Sequence, residues 1–112
     1  MKSVASFEDF AKLELRIGRI VAVEDAATKK PTYRLRIDFG PEIGVKRSSA
    51  QITVHYTIEE LIGSKVAAVV NFPPRQIGPV MSEVLTLGFP DADGAVVLVR
   101  PDRAVPDGGR LF

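Results

Sequence analysis

The sequence predicts an all-β fold, a small closed barrel with short helices, and three observations support this. Residues 33–39 alternate between apolar and polar side chains, which is the period of a strand with one buried and one solvated face. Residues 66–70 are wholly apolar, as expected inside a strand, 65–72, that is buried on both sides. The sequence Asp-Ala-Asp-Gly at 91–94 separates two apolar segments and is typical of a hairpin turn.

A short helix is predicted near the start of the chain. Ser6 can cap its first amides, because a serine side chain accepts from the amides of a first helical turn. Phe7, Phe10 and Ala11 then fall on one face at helical spacing. We expect this apolar face to plug one end of the core, and a dimer contact is the alternative.

The first and third strands have unusual patterns. Leu13, Leu15 and Ile17 recur at every second position of a long first strand, in which Gly18 predicts a bulge or sharp coil. A turn is expected over residues 24–32. The third strand begins near Ile43 and carries polar side chains on both faces. This pattern is typical of a strand at the edge of a sheet or of one that lines a groove.

A second short helix follows the third strand. Thr57 and Glu60 form a capping box, and Gly63 ends the helix. The element order is therefore helix, three strands, helix, strand, loop and hairpin. This order predicts one domain over residues 1–112, an OB-fold, in which a five-stranded Greek-key barrel carries a helix between strands 3 and 4. Meandering barrels and SH3-like barrels are the rival folds.

The segment Asn71–Leu85 is predicted to form a rigid loop that follows a buried strand. Three prolines and Gly78 fix backbone angles there and make a helix or central strand improbable. The loop nevertheless carries the apolar side chains of Phe72, Ile77, Val80 and Met81, together with Arg75. A stiff, apolar loop of this kind is a candidate recognition surface.

The composition excludes several classes of protein. The net charge is +1, with 15 basic and 14 acidic residues, so the overall charge does not demand a polyanionic partner. Cysteine is absent and His55 is the only histidine, which argues against thiol chemistry, metal sites, cofactors and enzymatic catalysis. Neither a secretory signal nor a membrane-spanning run is visible, so we expect a cytoplasmic protein without membrane insertion.

Two regions leave their role open. Cations cluster on or beside the second and third strands, namely Lys29, Lys30, Arg34, Arg36, Lys46 and Arg47. They form either a solvated basic face or a binding surface for single-stranded nucleic acid. Tyr33 and Phe39 fall on the face of the second strand that is expected to be buried, so few aromatic side chains are left to stack on bases. The tail, residues 101–112, is either an ordered surface strap or a subunit contact.

Several long segments resemble a known family. The segments are Phe10–Ile20, Tyr33–Gly40, Lys46–Thr53, Asn71–Ser82 and Val97–Pro106. Together they resemble the EMAP-II-like tRNA-binding domain, an OB-fold module that is appended to some aminoacyl-tRNA synthetases. The phrases Lys-Arg-Ser-Ser-Ala-Gln-Ile-Thr and Val-Val-Asn-Phe-Pro-Pro-Arg-Gln-Ile are similar to the CsaA family, free-standing members linked to protein export.

The resemblance to the CsaA family implies a homodimer that acts as an ATP-independent chaperone. It would bind exposed apolar segments of unfolded, non-native or export-bound preproteins. The residues expected to bind such a peptide are Phe72, Pro74, Arg75, Ile77, Val80 and Met81. The dimer seam is the competing role for some of these apolar side chains.

Structure-specific binding of tRNA or other RNA is the alternative function. The residues that would carry it are Arg34, Arg36, Lys46, Arg47, Asn71, Arg75 and Ser82. The tRNA-binding relatives carry an Asn-Leu-Lys-Pro phrase followed by Ser-x-Gly-Met. This chain has Asn-Phe-Pro-Pro at 71–74 and Ser-Glu-Val-Leu at 82–85, so their tRNA-binding loop does not carry over directly.

Overall fold

The computed structural model describes residues 1–26 and 29–112, so part of the turn expected over residues 24–32 lies outside the described residues. Two helices and nine strands follow along the described chain: α1 Phe7–Ala11, β1 Leu15–Asp25, β2 Tyr33–Asp38, β3 Val45–Ala50, α2 Ile58–Leu61, β4 Lys65–Val69, β5 Arg75–Ile77, β6 Val80–Ser82, β7 Leu85–Thr86, β8 Gly88–Pro90 and β9 Val96–Leu98. The prediction of a mostly β chain with short helices is confirmed.

The main sheet has five antiparallel strands in the order β3-β2-β1-β4-β7. β1 is long enough to pair with β4 through its first half and with β2 through its second half. The sheet curls until β3 approaches the chain before β7, where the Glu83 amide donates to the Arg47 carbonyl at 2.8 Å. The result is a nearly closed barrel that agrees with the predicted OB-fold.

Gly18 has a different role from the one its position predicts. The bulge in β1 lies between Ile20 and Ala22 rather than at Gly18. A Cβ atom on Gly18 would lie 2.5 Å from Cγ2 of Ile37 and 2.7 Å from the ring of Phe39. Gly18 therefore makes room inside the barrel for two large core side chains, Ile37 of β2 and Phe39 just after it.

The buried core of the barrel takes side chains from β1, β2, β4, α2 and β9, and Ala50 of β3 packs against it. β2 alternates as predicted, since Leu35 and Ile37 are fully buried and Phe39 follows them into the core. Leu61 closes one end from α2, which begins at the predicted Thr57 capping box. Leu15 and Ile17 lie outside this core cluster. Side chains alternate along a strand, and in the first half of β1 it is Gly18 and Ile20 that face the barrel interior.

Residues 101–112 form a C-terminal strap along the first half of β1. The Ile17 amide donates to the Gly109 carbonyl at 2.8 Å, and the Leu111 amide donates to the Leu15 carbonyl at 3.0 Å. Asp107 fastens the strap to the barrel. Burial alone would raise the pKa of Asp107, but hydrogen bonds from Lys65 and Arg19 lower it below its ordinary value. The tail is thus an ordered strap.

The helix α1 does not plug the core. Its predicted cap is present, because Ser6 and Asp9 form a reciprocal capping box. None of its residues is buried, however, and the side chains of Phe7 and Phe10 are 79% and 47% exposed. The expected core plug is wrong, and an apolar face is left open to solvent.

Residues 71–85 contain a hairpin rather than a plain loop. β5 and β6 pair antiparallel across the turn at Gly78 and Pro79, with Ile77 opposite Val80. Gly78 has a φ of 56°, and proline fixes a negative φ after it, which is the order required by a type II′ turn. The prolines lie before β5 or in the turn, so none of them removes a hydrogen bond from the ladder.

The final hairpin forms at the predicted turn. One carboxylate oxygen of Asp91 accepts from the amides of Asp93 and Ala95, both at 2.9 Å. Gly94 takes the positive φ, 86°, that closes the turn. β8 and β9 form a separate two-stranded sheet beyond β7.

Candidate binding groove and basic face

A groove of about 440 Å³ lies beside the β5–β6 hairpin, and its lining is mostly apolar. Its lining comes from two segments of the chain, which we call its first and second walls. Phe72, Pro73, Pro74, Arg75 and Ile77 belong to the first, and Ser82, Glu83, Val84 and Leu85 belong to the second. Phe72, Ile77 and Leu85 remain exposed despite their size. We call this feature the apolar groove.

Asn71 fixes the start of the first wall. Its Oδ1 accepts from the Glu14 amide and its Nδ2 donates to the Lys12 carbonyl, both at 2.8 Å. Two prolines follow at once and restrict the backbone further. The wall therefore presents Phe72 from a segment that is anchored at its root.

Four of the six predicted peptide-binding residues line the apolar groove: Phe72, Pro74, Arg75 and Ile77. Val80 is only 2% exposed, so its side chain is not available at the surface of the chain. Met81 is half-buried opposite Gln76, outside the groove lining. The apolar residues of the hairpin therefore divide between the surface and the interior.

Leu85 belongs to the groove although sequence reasoning omitted it. Ser82 and Val84 are buried and Thr86 is half-buried, so the intervening Leu85 points outward. The period of two along residues 82–86 is the signal that identifies it.

The acid in the groove is neutralised within the chain. One oxygen of the Glu83 carboxylate accepts from the main-chain amide of Arg47 at 3.0 Å and from its Nε at 3.1 Å. The main-chain hydrogen bond, more than the guanidinium, lowers the pKa of Glu83 below its ordinary value. Arg75 forms no ion pair within the described part of the chain, so the uncompensated charge at this groove is positive.

The basic face is smaller than the sequence suggests. The β2–β3 register places Arg36 opposite Arg47, whereas Lys46 lies opposite the buried Ile37 and therefore belongs to the other face. Arg47 is paired with Glu83. Arg36 is exposed and has no ion-pair partner among residues 1–26 and 29–112.

Three further RNA candidates have structural contacts. Arg34 lies 3.6 Å from a carboxylate oxygen of Glu24. Ser82 is buried, with its Oγ donating to the Val84 carbonyl at 2.9 Å, and Asn71 anchors the groove wall. Of the cations among the predicted RNA contacts, those without an ion pair in the described part of the chain are Arg36, Lys46 and Arg75.

His55 pairs with a turn residue rather than with a nucleophile. Its Nε2 lies 2.6 Å from Oδ2 of Asp91, and this hydrogen bond lowers the pKa of the Asp91 carboxyl. Among the residues that the structure describes, no group of histidine and acidic side chains could hold a metal ion. No described helix is long and apolar enough to span a membrane.

A family model described as "Putative tRNA binding domain" matches residues 15–110, nearly the whole barrel and strap. The chain therefore belongs to this tRNA-binding domain family, as the sequence segments predicted. Methionine–tRNA ligases of Porphyromonas gingivalis and Methanosarcina mazei are 35% and 32% identical over 106 and 108 residues. The chain spans about 15% of the length of these ligases.

Solved structures give a full-length match. The chaperone CsaA from Bacillus anthracis is 47% identical, with a TM-score of 0.92 over 98% of this chain and 100% of that one. The CsaA chaperone protein of Picrophilus torridus is 46% identical, with a TM-score of 0.90 over 97% and 100%. The predicted resemblance to CsaA is confirmed.

Proposed function

We propose that the chain is a dimeric, ATP-independent chaperone that binds exposed apolar segments of non-native or export-bound polypeptides. The apolar groove carries this proposal, because Phe72, Ile77 and Leu85 are exposed together around a cavity of about 440 Å³. Large apolar side chains that gather at a rigid, concave surface mark an interaction site. The similarity to CsaA chaperones over the whole chain supports it.

The difference from the tRNA-binding phrase also supports a polypeptide ligand. Pro73 occupies the position of the lysine in the Asn-Leu-Lys-Pro phrase. Pro73 lines the apolar groove, so an apolar wall replaces a cation that a phosphate could contact.

The dimer seam is proposed at the open face of α1. Phe7 and Phe10 adjoin the chain end around a second concavity of about 290 Å³, with Leu13, Leu111 and Phe112. No residue lines both this concavity and the apolar groove. A second copy could therefore cover α1 and leave the groove open for a client.

The test is suppression of aggregation of a chemically unfolded client protein without ATP. The double variant Phe72→Ser/Leu85→Ser should lose most of the suppression, because both side chains line the groove. Phe89→Ser is the matched control, since Phe89 is 72% exposed on β8 outside the groove. Equal suppression by the wild type and the groove variant would exclude the groove as the client site.

A second candidate function is binding of tRNA, which the family match over residues 15–110 favours. Of the cations among the predicted RNA contacts, Arg36, Lys46 and Arg75 form no ion pair within the described residues. Filter binding to tRNA over a salt series should then give a shallow slope, about −2 in log–log form. Arg36→Gln/Arg75→Gln should flatten this slope further. Retention that does not respond to salt would contradict this function.

We also propose that the chain is not an enzyme and requires no cofactor, and that it acts in the cytoplasm. His55 is the natural candidate for a catalytic base. Its described partner, Asp91, also holds the β8–β9 turn, so the pair fastens a hairpin. His55→Gln should therefore leave client suppression unchanged.

A further inference from the structure

β5 has an open edge. It pairs with β6 on one side, and the two form a sheet of their own. Within the described residues no strand pairs with the other side of β5. Natural proteins protect such edges because an unpaired edge can bind another chain. Here Pro73 and Pro74 precede β5 and Pro79 follows it, which limits the open edge to three residues.

The register identifies the backbone groups at this edge. Ile77 and Val80 close a two-residue turn, and the pair that closes such a turn is hydrogen-bonded. Hydrogen-bonded and non-hydrogen-bonded pairs alternate along an antiparallel ladder. Gln76, the next residue, therefore directs its amide and its carbonyl away from β6.

The same strand borders the apolar groove. Arg75 and Ile77 line the groove, whereas Gln76 does not, so one face of β5 adjoins it. A strand added beside β5 would lie about 5 Å away and would direct every second side chain to that face. Those side chains would meet Phe72 and Leu85.

The charge at the groove favours an acidic group on the ligand. Glu83 is neutralised by Arg47, while Arg75 has no ion-pair partner among the described residues. An added strand would pass next to Arg75 as it follows β5. A carboxylate at the matching position would compensate this cation.

We propose that the client binds as an extended strand paired with the outer edge of β5. Alternate apolar side chains of the client fill the groove, and an acidic residue pairs with Arg75. The inference rests on the proposed function and specifies its ligand, an extended apolar segment with a carboxylate. Main-chain pairing is independent of client sequence, which suits a protein that accepts varied polypeptides.

The main test uses the unaltered protein and a labelled short peptide of alternating leucine and threonine with one glutamate. A set of peptides is prepared in which one main-chain amide at a time is N-methylated, and the binding of each is measured by fluorescence anisotropy. Methylation at the peptide amide that faces the Gln76 carbonyl should weaken binding about tenfold, and methylation at the neighbouring amides less than about twofold. Equal affinity for all methylated peptides overturns strand pairing but leaves the proposed function intact, whereas no binding of the parent peptide overturns both.

Two pairs of variants complete the test. Gln76→Pro removes the outward amide without removing a β5–β6 hydrogen bond and should weaken peptide binding about tenfold, while Gln76→Ala should stay within about twofold. Replacing the peptide glutamate by lysine should weaken binding to the wild type but not to Arg75→Gln. Equal discrimination by both proteins would overturn the role of Arg75.

Discussion

Glu83 accepts two hydrogen bonds from Arg47, one from the main-chain amide at 3.0 Å and one from Nε at 3.1 Å. The amide of Glu83 returns a hydrogen bond to the Arg47 carbonyl at 2.8 Å. The carboxylate therefore occupies the place that a strand carbonyl would take at the edge of β3. Glu83 therefore helps to join β3 to the chain before β7, and it also pairs with the Arg47 cation.

Glu83→Gln is predicted to lower the free energy of unfolding at neutral pH by about 1–2 kcal/mol, since a charged acceptor is lost. The pKa of Glu83 is below its ordinary value of 4.5 in the folded chain. The stabilisation is therefore present above that ordinary value and is lost as the pH falls through the folded pKa. Urea denaturation at a series of pH values measures both effects.

Glu59→Gln is the control for this titration, because Glu59 is exposed on α2. The control should keep the acid dependence of the wild type, whereas Glu83→Gln should reduce it. An unchanged acid dependence in Glu83→Gln would contradict the assignment of this carboxylate.

Gly18→Ala is predicted to destabilise the barrel by about 1–3 kcal/mol through overpacking. The new Cβ would meet Cγ2 of Ile37 at 2.5 Å, inside a core without spare room. Gly44→Ala is the comparison, since Gly44 has a φ of 83° but nothing within 4 Å of a new Cβ. Thermal unfolding of Gly44→Ala measures the cost of backbone strain without steric overlap. A fully stable Gly18→Ala protein would show that the core relaxes around the methyl group.

The sequence predicted those elements whose signals are local. The Ser6 cap, the capping box at Thr57, the alternation of β2 and the Asp91 turn all depend on side chains within a few residues of one another, and all are present. The order of these elements was enough to predict the barrel.

The missed features depend on contacts distant in sequence. Whether Phe7 is buried depends on what α1 packs against, and its own periodicity cannot show this. Lys46 lies on the opposite face of the sheet from the arginines with which the sequence grouped it, because the β2–β3 register determines which side chains share a face. Val80 reads as one apolar residue of a loop until the β5–β6 hairpin places it inside.

Asn71→Ala is predicted to weaken peptide binding several-fold and to lower stability by about 1–2 kcal/mol. Two hydrogen bonds that join residue 71 to Lys12 and Glu14 are lost, so the groove wall loses its side-chain anchor to the segment between α1 and β1. Asn71→Asp keeps the acceptor and loses the donor, and should be intermediate. Anisotropy and thermal unfolding check the order of the three proteins. If Asn71→Ala instead reduced only salt-dependent tRNA retention, the residue would be an RNA contact.

Phe7→Ser/Phe10→Ser is predicted to shift the protein from dimer to monomer without unfolding it. Both side chains are exposed in the single chain, with ring centroids 6.5 Å apart, so their removal costs the monomer little while a seam would lose its apolar centre. Sedimentation velocity measures the assembly, and circular dichroism confirms the fold. Phe89→Ser, equally apolar but on β8, should remain dimeric. A dimer that survives the α1 variant and dissociates in Phe89→Ser would move the seam to the β8–β9 hairpin.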